Sequence, residues 1–123
     1  MELNLIHTYT RAQMIKNGEL MDVTKMAKEA GFKVPVGITR TVWEAYIKPT
    51  SDDLKIGQDV NGRLWDTLWM LFLKIRSSRD CYEVRFKVFY VINKFGCTKE
   101  LKAVIGQGDR GEPVLTIMLP NED

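Results

Sequence analysis

The chain has 123 residues, of which 45% are hydrophobic and 28% charged, a balance that excludes intrinsic disorder and predicts one folded domain over residues 1–123. Its 18 lysines and arginines and 16 acidic residues leave a net charge of only +2, which gives no argument for a polyanion ligand. One histidine and two cysteines are too few for a structural zinc site, which needs four such ligands, or for a disulfide framework.

The compartment is predicted from the absence of targeting signals. Residues Met1 to Ile6 lack the basic and apolar regions of a signal peptide. The longest apolar run, Leu68 to Leu73, is far shorter than the ~20 residues that cross a bilayer. We therefore expect a cytoplasmic protein without membrane contact, in which the thiols of Cys81 and Cys97 are reduced.

Helix signals occur in the first two-thirds of the chain. Thr10 and Gln13 have the spacing of a capping box, and Gly18 follows the apolar residues of this first short helix. The strongest signal begins at Asp59 or Asn61, and its apolar residues are so many that we expect protein on most sides of this helix and most of the tryptophan in the core. The predicted helices span residues 10–17, 22–30, 40–47 and 59–77, with a polar loop at 50–58.

Strand signals follow the helices and also interrupt them once. Val34, Val36 and Ile38 alternate with other residues, and Pro35 predicts that this short strand lies at a sheet edge. Short connections predict an antiparallel three-stranded C-terminal meander at 81–92, 99–105 and 114–119. The sequence therefore predicts an α+β fold with the helices packed on one face of a mostly antiparallel sheet.

Some sequence blocks cover nearly the full length: Tyr9–Gln13, Leu20–Val23, Pro35–Val36, Thr39–Arg40, Val42–Trp43, Gly62–Asp66, Gly111–Val114 and Met118–Pro120. Together these blocks resemble an uncharacterised family of small proteins found in bacteria and on mobile elements, a domain of unknown function. The resemblance implies a small accessory protein, such as one of a phage or plasmid. It implies no catalytic residue, ligand or partner.

Few side chains have the chemistry of a reaction centre. His7 precedes the first helix, while Cys81 begins a strand and Cys97 lies in a turn, positions typical of packing thiols rather than of nucleophiles. The adjacent acids Asp52 and Asp53 indicate an exposed loop turn rather than an ion site. We therefore expect no metal and no cofactor.

Two sequence patterns are compatible with a ligand site, although each also has a structural explanation. Arg40 with Glu44, and Arg63 with Asp66, have the spacing of ion pairs on single helices, which accounts for them without catalysis, although an acid and arginine site of a small enzyme is the alternative. The glycines of the loop Gly106–Gly111 are spaced as in a phosphate-binding fingerprint. An apolar strand follows this loop instead of a helix, so the glycines favour a hairpin turn.

A basic segment is the first surface to which a binding function can be assigned. Between residues 74 and 102, eight cationic residues accompany three acidic ones. The residues assigned to a nucleic-acid-binding surface are Lys74, Arg76, Arg79, Arg85 and Lys87. The alternative interpretation is a solvent-exposed sheet face whose lysines keep the protein soluble.

An apolar excess on one strand is the second such surface. Phe89 and Val91 interrupt the alternation of a half-buried strand, so they need a cover, either from the N-terminal helices or from a protein partner or second copy. We rank a non-catalytic protein-interaction or accessory protein of the inhibitor type first, a nucleic-acid-binding module second and a small enzyme third.

Overall fold

The computed structural model describes residues 9–55, 57–78 and 82–122, apart from the side chain of Asp52. Its strands are β1 (Leu20–Asp22), β2 (Val36–Thr39), β3 (Glu83–Ile92), β4 (Phe95–Gln107) and β5 (Pro113–Met118). Its helices are α1 (Arg11–Lys16), α2 (Thr24–Ala30), α3 (Arg40–Val42, continued by a π-helical turn at Trp43–Ile47), α4 (Ser51–Lys55) and α5 (Val60–Arg76). The strands form one mixed sheet in the order β1-β2-β5-β4-β3, which confirms the α+β class.

The C-terminal meander is confirmed in both of its hairpins. β3 pairs antiparallel with β4 from Glu83 opposite Val104 to Ile92 opposite Phe95, and β4 pairs antiparallel with β5. Only Asn93 and Lys94 connect β3 to β4, with φ angles of 51° and 71°. Two successive positive φ angles are typical of a type I′ turn, whose twist matches that of the flanking strands. Because this turn is so short, β4 begins earlier than the sequence predicted, and Cys97 lies in the strand instead of a turn.

The prediction that Pro35 marks an edge strand is wrong. β2 lies between β1, its antiparallel neighbour, and β5, its parallel neighbour. Pro35 stands just before β2, and its carbonyl accepts a hydrogen bond from the amide of Leu115 at 2.9 Å. The proline contributes its acceptor to the sheet, and its missing N–H falls where the strand has not yet begun.

The main core lies between one face of the sheet and the helices α2, α3 and α5. Small residues of α2, branched residues of α3 and leucines of α5 meet the inward residues of the strands. The innermost large side chains include Ile38, Val42, Leu68, Leu71, Val88, Leu101 and Ile117. The polar loop predicted at 50–58 contains the additional helix α4, because Thr50 caps it through a hydrogen bond from the Asp53 amide.

α1 lies on the opposite face of the sheet from the other packed helices. The guanidinium of Arg11 donates hydrogen bonds to the Thr116 hydroxyl at 2.8 Å and to the Leu115 carbonyl at 2.9 Å. Leu20 and Met118 are buried on this side, outside the main core. α1 reaches only the β1-β2-β5 half of this face, and the described residues leave the outward side chains of β3 exposed.

Gly31 should be far less tolerant of alanine than Gly18, although each follows a short helix with a positive φ angle. The left-handed backbone costs alanine about 1–2 kcal/mol at either position. A Cβ at Gly31 would also lie 2.7 Å from Cε1 of Phe72, and overpacking of this kind adds about 1–3 kcal/mol. Chemical denaturation of Gly31→Ala and Gly18→Ala measures the difference; equal losses of stability would contradict the close packing of Gly31 on Phe72.

Candidate functional site

The outward face of α5 is apolar as well as its buried face. Leu64, Leu68 and Leu71 of this helix point into the core. The described residues leave Trp65 at 38%, Trp69 at 40%, Met70 at 40% and Leu73 at 42% exposure. Within the described residues, the prediction that α5 is covered on most sides is therefore wrong. The sheet, α2 and the π-helical turn pack against its inward side, and its outward side chains are left about 40% exposed. We call Trp65, Trp69, Met70 and Leu73 the α5 surface.

The aromatic part of the α5 surface is ordered by stacking. The rings of Trp65 and Trp69 lie 6.1 Å apart with an interplanar angle of 8°, and Trp69 stacks on Phe72 at 5.6 Å. The guanidinium of Arg76 lies 5.9 Å from the centre of the Phe72 ring. Residues three and four apart are neighbours on a helix, so the aromatic residues form a continuous row. Stacking contacts of this kind restrict the rotamers of the three rings.

A groove of about 560 Å³ separates the flank of α5 from β3. Met70, Leu73 and Lys74 line it from the helix, and Arg85 and Lys87 line it from the strand. We call it the edge groove, because β3 is the last strand of the sheet. Ser77 also lines the groove from the helix, and Phe86 and Glu100 line it from the strands. The lining is therefore mixed, and Met70 and Leu73 are its apolar part on the helix.

The β3 backbone has hydrogen-bonding groups that point away from β4. A two-residue turn makes Ile92 and Phe95 exchange hydrogen bonds, and the exchange then recurs at every second residue of an antiparallel pair. The odd-numbered residues of β3 therefore direct their N–H and C=O groups outward. The Val91 carbonyl accepts a hydrogen bond from Arg63, whereas the outward groups of 83, 85, 87 and 89 bond to none of the described residues.

The structure divides the cationic residues of the basic segment between two surfaces. Lys74 and Arg76 lie on α5, and Arg85 and Lys87 are exposed on the other side of the sheet. Arg85 forms ion pairs with Glu83 at 3.4 Å and Glu100 at 3.6 Å, which offset its charge. Arg79 lies outside the described residues. Nucleic-acid binding by this segment remains a prediction, with less free charge than the sequence suggested.

Phe89 and Val91, the residues predicted to need a cover, have different surroundings. Phe89 is 61% exposed, and its ring lies over Gly96 of the neighbouring strand. Val91 is half-buried, and its carbonyl is held by Arg63. The N-terminal helices in the described chain thus leave Phe89 uncovered.

Asp53 and Arg63 form a buried ion pair that the sequence did not indicate. Their side chains are 0% and 2% exposed, and Nη2 of Arg63 lies 3.0 Å from Oδ2 of Asp53. The Asp53 carboxylate also accepts hydrogen bonds from the amides of Thr50 at 3.0 Å and Asn93 at 2.7 Å. Arg63 further donates to the Tyr46 carbonyl at 3.2 Å. The pair therefore joins the end of α3, the start of α4, α5 and the β3–β4 turn.

Three expectations about the burial or the ion pairs of charged residues are wrong. Asp53 was expected in an exposed turn, but it caps α4 and is fully buried; the side chain of Asp52 is not among the described residues. Arg63 pairs with Asp53 instead of Asp66, because it points inward from α5. Glu44 pairs with Lys48 at 3.7 Å instead of Arg40, since the capping residue of α3 is Thr39 and the helix continues as a π turn. The prediction of a polar loop at 50–58 overlooked the spacing of Thr50 and Asp53, which is that of a capping box.

The Asp53–Arg63 pair fits a structural role better than a catalytic one. Hydrogen bonding to the Thr50 and Asn93 amides lowers the pKa of Asp53 to about 2, so its carboxylate is a weak base. Burial raises the pKa of the neighbouring Tyr90, whose hydroxyl lies 2.6 Å from that of Thr67. Partial burial raises the pKa of Asp66. His7 and Cys81, which the sequence did not favour as catalytic residues, lie outside the described residues.

The described parts of the chain contain no group of three histidine, cysteine, aspartate or glutamate residues placed to bind a metal ion. In the loop Gly106–Gly111, Asp109 accepts hydrogen bonds from the amides of Arg11 at 2.7 Å and Ala12 at 3.0 Å. This carboxylate caps α1 from a distant part of the chain, a role that the spacing of the glycines did not indicate. Gly111 has a φ angle of 79°, as a turn requires.

A family of unknown function (DUF6573) matches residues 2–123. The chain belongs to this family. Its match covers every block on which the sequence resemblance rests, and the family description assigns no activity to the α5 surface or to the ion pair. No curated protein and no solved structure matches the chain. None of the helices within the described residues is long and apolar enough to cross a membrane.

Asp53→Asn should flatten the dependence of unfolding free energy on pH between about 4 and about 2. The pKa of Asp53 is lowered from 3.8 to about 2 by its hydrogen bonds, so the folded protein binds fewer protons than the unfolded chain in this window. The stabilisation is complete above the unfolded pKa and is lost as the pH falls through the folded pKa.

Urea titrations at each pH measure this slope. Glu29→Gln removes an exposed carboxylate from α2 and should retain the wild-type slope. If Asp53→Asn leaves Arg63 unpaired and does not fold, the double variant with Arg63→Met removes both buried charges and can be titrated instead. A wild-type slope in the Asp53 variants would contradict the assignment.

Proposed function

We propose that this protein is a non-catalytic interaction module that binds a partner protein through the α5 surface. The observation that supports the proposal is the exposure of two tryptophans, a methionine and a leucine on the longest helix. Aromatic residues, methionine and arginine are enriched in the centres of protein interfaces. The α5 surface has these residue types together, with Arg76 at its end.

The composition of the α5 surface supports a protein partner more than a solvent-facing role. Isolated exposed apolar residues are common, but a contiguous group of large ones on one helix face is typical of a binding surface. Full burial of an exposed side chain of this size contributes about 1.5–3 kcal/mol, and these four side chains, 38–42% exposed, retain a part of that free energy for a partner. Asp66 and Arg76 on the exposed side of the same helix provide polar groups for the rim of an interface.

The alternatives receive less support from the same geometry. An enzyme built on Arg40, Glu44, Arg63 and Asp66 would need Arg63 to reach a substrate, and that side chain is 2% exposed and held by Asp53. A nucleic-acid surface at Arg85 and Lys87 would compete with Glu83 and Glu100 for the charge of Arg85. The nucleic-acid-binding module therefore stays the second candidate function and the small enzyme the third.

The biological setting is part of the proposal and rests on the sequence resemblance. We propose a cytoplasmic accessory protein of a mobile element, such as a phage or plasmid, with an inhibitor-type action. A protein that acts by covering a surface of its target needs rigid exposed anchors and no reaction centre, and the stacked row of Trp65, Trp69 and Phe72 supplies such anchors.

Site-specific photo-crosslinking in the native host tests the proposal. A benzophenone amino acid placed at Trp69 or Leu73 should yield one defined adduct, identified by mass spectrometry, because these side chains lie at the proposed interface. Leu73→Gln in the Trp69-labelled protein should reduce that adduct at least about tenfold, as expected when a central interface residue is lost.

The matched control carries the photo-reactive group at Lys16, which is exposed on α1 across the sheet. This position should give no such adduct. Equal labelling from Lys16 and from Trp69, or no adduct from the α5 surface, would refute the proposal. An adduct of the chain with itself would identify the partner as a second copy.

A further inference from the structure

β3 is a long edge strand that retains unused backbone hydrogen-bonding groups. It has ten residues, whereas β1 at the opposite edge has three. The outward N–H and C=O groups of Glu83, Arg85, Lys87 and Phe89 bond to no described residue. Such a row of groups is a template on which another extended chain can pair.

The two sides of this edge differ in chemistry. Toward α5, the edge groove presents the apolar side chains of Met70 and Leu73. On the opposite face of the sheet, Arg85 and Lys87 extend from β3, and Lys87 forms no ion pair with a described residue. Successive side chains of an added strand would point alternately to these two sides.

We infer that β3 binds an extended segment of the partner protein as a sixth, antiparallel strand, and that this segment alternates acidic with apolar residues. Its acidic side chains contact Lys87, because Arg85 is already paired with Glu83 and Glu100. Its apolar side chains contact Met70 and Leu73. The inference rests on the proposed function and specifies the chemistry of the partner, since Met70 and Leu73 also belong to the α5 surface.

The charge on β3 favours such a segment over a second copy of the chain. Antiparallel pairing of two copies of β3 would place Lys87 of both copies on one strip of the sheet face, and neighbouring like charges on adjacent strands are destabilising. Arg85 adds little to this repulsion, because Glu83 and Glu100 offset its charge. An acidic segment replaces the repulsion between the two Lys87 side chains with attraction, so Lys87 on the edge strand favours an acidic partner over self-association.

Hydrogen exchange and peptide binding test the inference. In the free protein, the amides of Phe86, Val88 and Tyr90 should be protected by β4, and those of Arg85, Lys87 and Phe89 should exchange fast. The probe is an acetylated and amidated peptide with four Glu-Val repeats, carrying a fluorophore for anisotropy. Its binding should protect the second set of amides.

Two peptides methylated at backbone amides distinguish strand pairing from binding by charge alone. In an antiparallel addition, the amides of the glutamates face β3 and those of the valines face solvent. Methylation of the glutamate amides should therefore abolish binding, whereas methylation of the valine amides should leave it nearly unchanged. A Lys-Val peptide of equal length should not bind.

Lys87→Glu should weaken the binding of the Glu-Val peptide at least about tenfold. Lys16→Glu makes the same change of charge on α1 and should leave the binding unchanged. Protection of the outward amides in the free protein, or equal binding of both methylated peptides, would overturn the inference. Adducts at Leu73 without peptide binding would refute the strand addition and leave the proposed function intact. Peptide binding without any adduct from the α5 surface would refute the proposed function.

Discussion

The ion pair between Asp53 and Arg63 holds together the segments on which the exposed surfaces depend. Arg63 is the buried charge of α5, and through Asp53 and the Tyr46 and Val91 carbonyls it ties this helix to α3, to α4 and to the end of β3. A buried ion pair adds little net stability, because removing the charges from water opposes their attraction. Its effect is geometric: it sets where the helix lies against the sheet.

The helices cover the inner face of the sheet but only part of its outer face. α2 and α5 cover the inner face of the sheet, and α1 covers the outer face only across β1, β2 and β5. β3 and β4 extend beyond α1, so Phe89, Arg85 and Lys87 are exposed. The α5 surface and the β3 edge are neighbours. Apolar side chains, backbone groups that bond to no described residue and the side chain of Lys87 therefore lie close together.

The polar groups buried beside α5 bond mainly to the backbone and to one another. The Asp53 carboxylate accepts hydrogen bonds from two amides and from Arg63, and its lowered pKa keeps it ionised. The Tyr90 hydroxyl contacts Thr67, and its ring stacks on Tyr46 at 5.5 Å. These hydrogen bonds satisfy the Asp53 carboxylate and the Tyr90 hydroxyl, whereas Nε of Arg63 is buried without a hydrogen-bond partner among the described residues.

The sequence by itself determined the α+β class, most helix bounds and the C-terminal meander. These features follow from local signals: the Thr10–Gln13 capping box formed as predicted, and alternation marked β3. It indicated that Phe89 needs a cover, and it left open whether the N-terminal helices or a partner supply that cover. It did not determine which distant residues contact one another in the folded chain. Contacts between residues distant in the chain decide which acid pairs with Arg63, whether β2 is an internal strand and which face of α5 remains exposed. Apolar composition alone does not distinguish a fully buried helix from one that is partly exposed on one side.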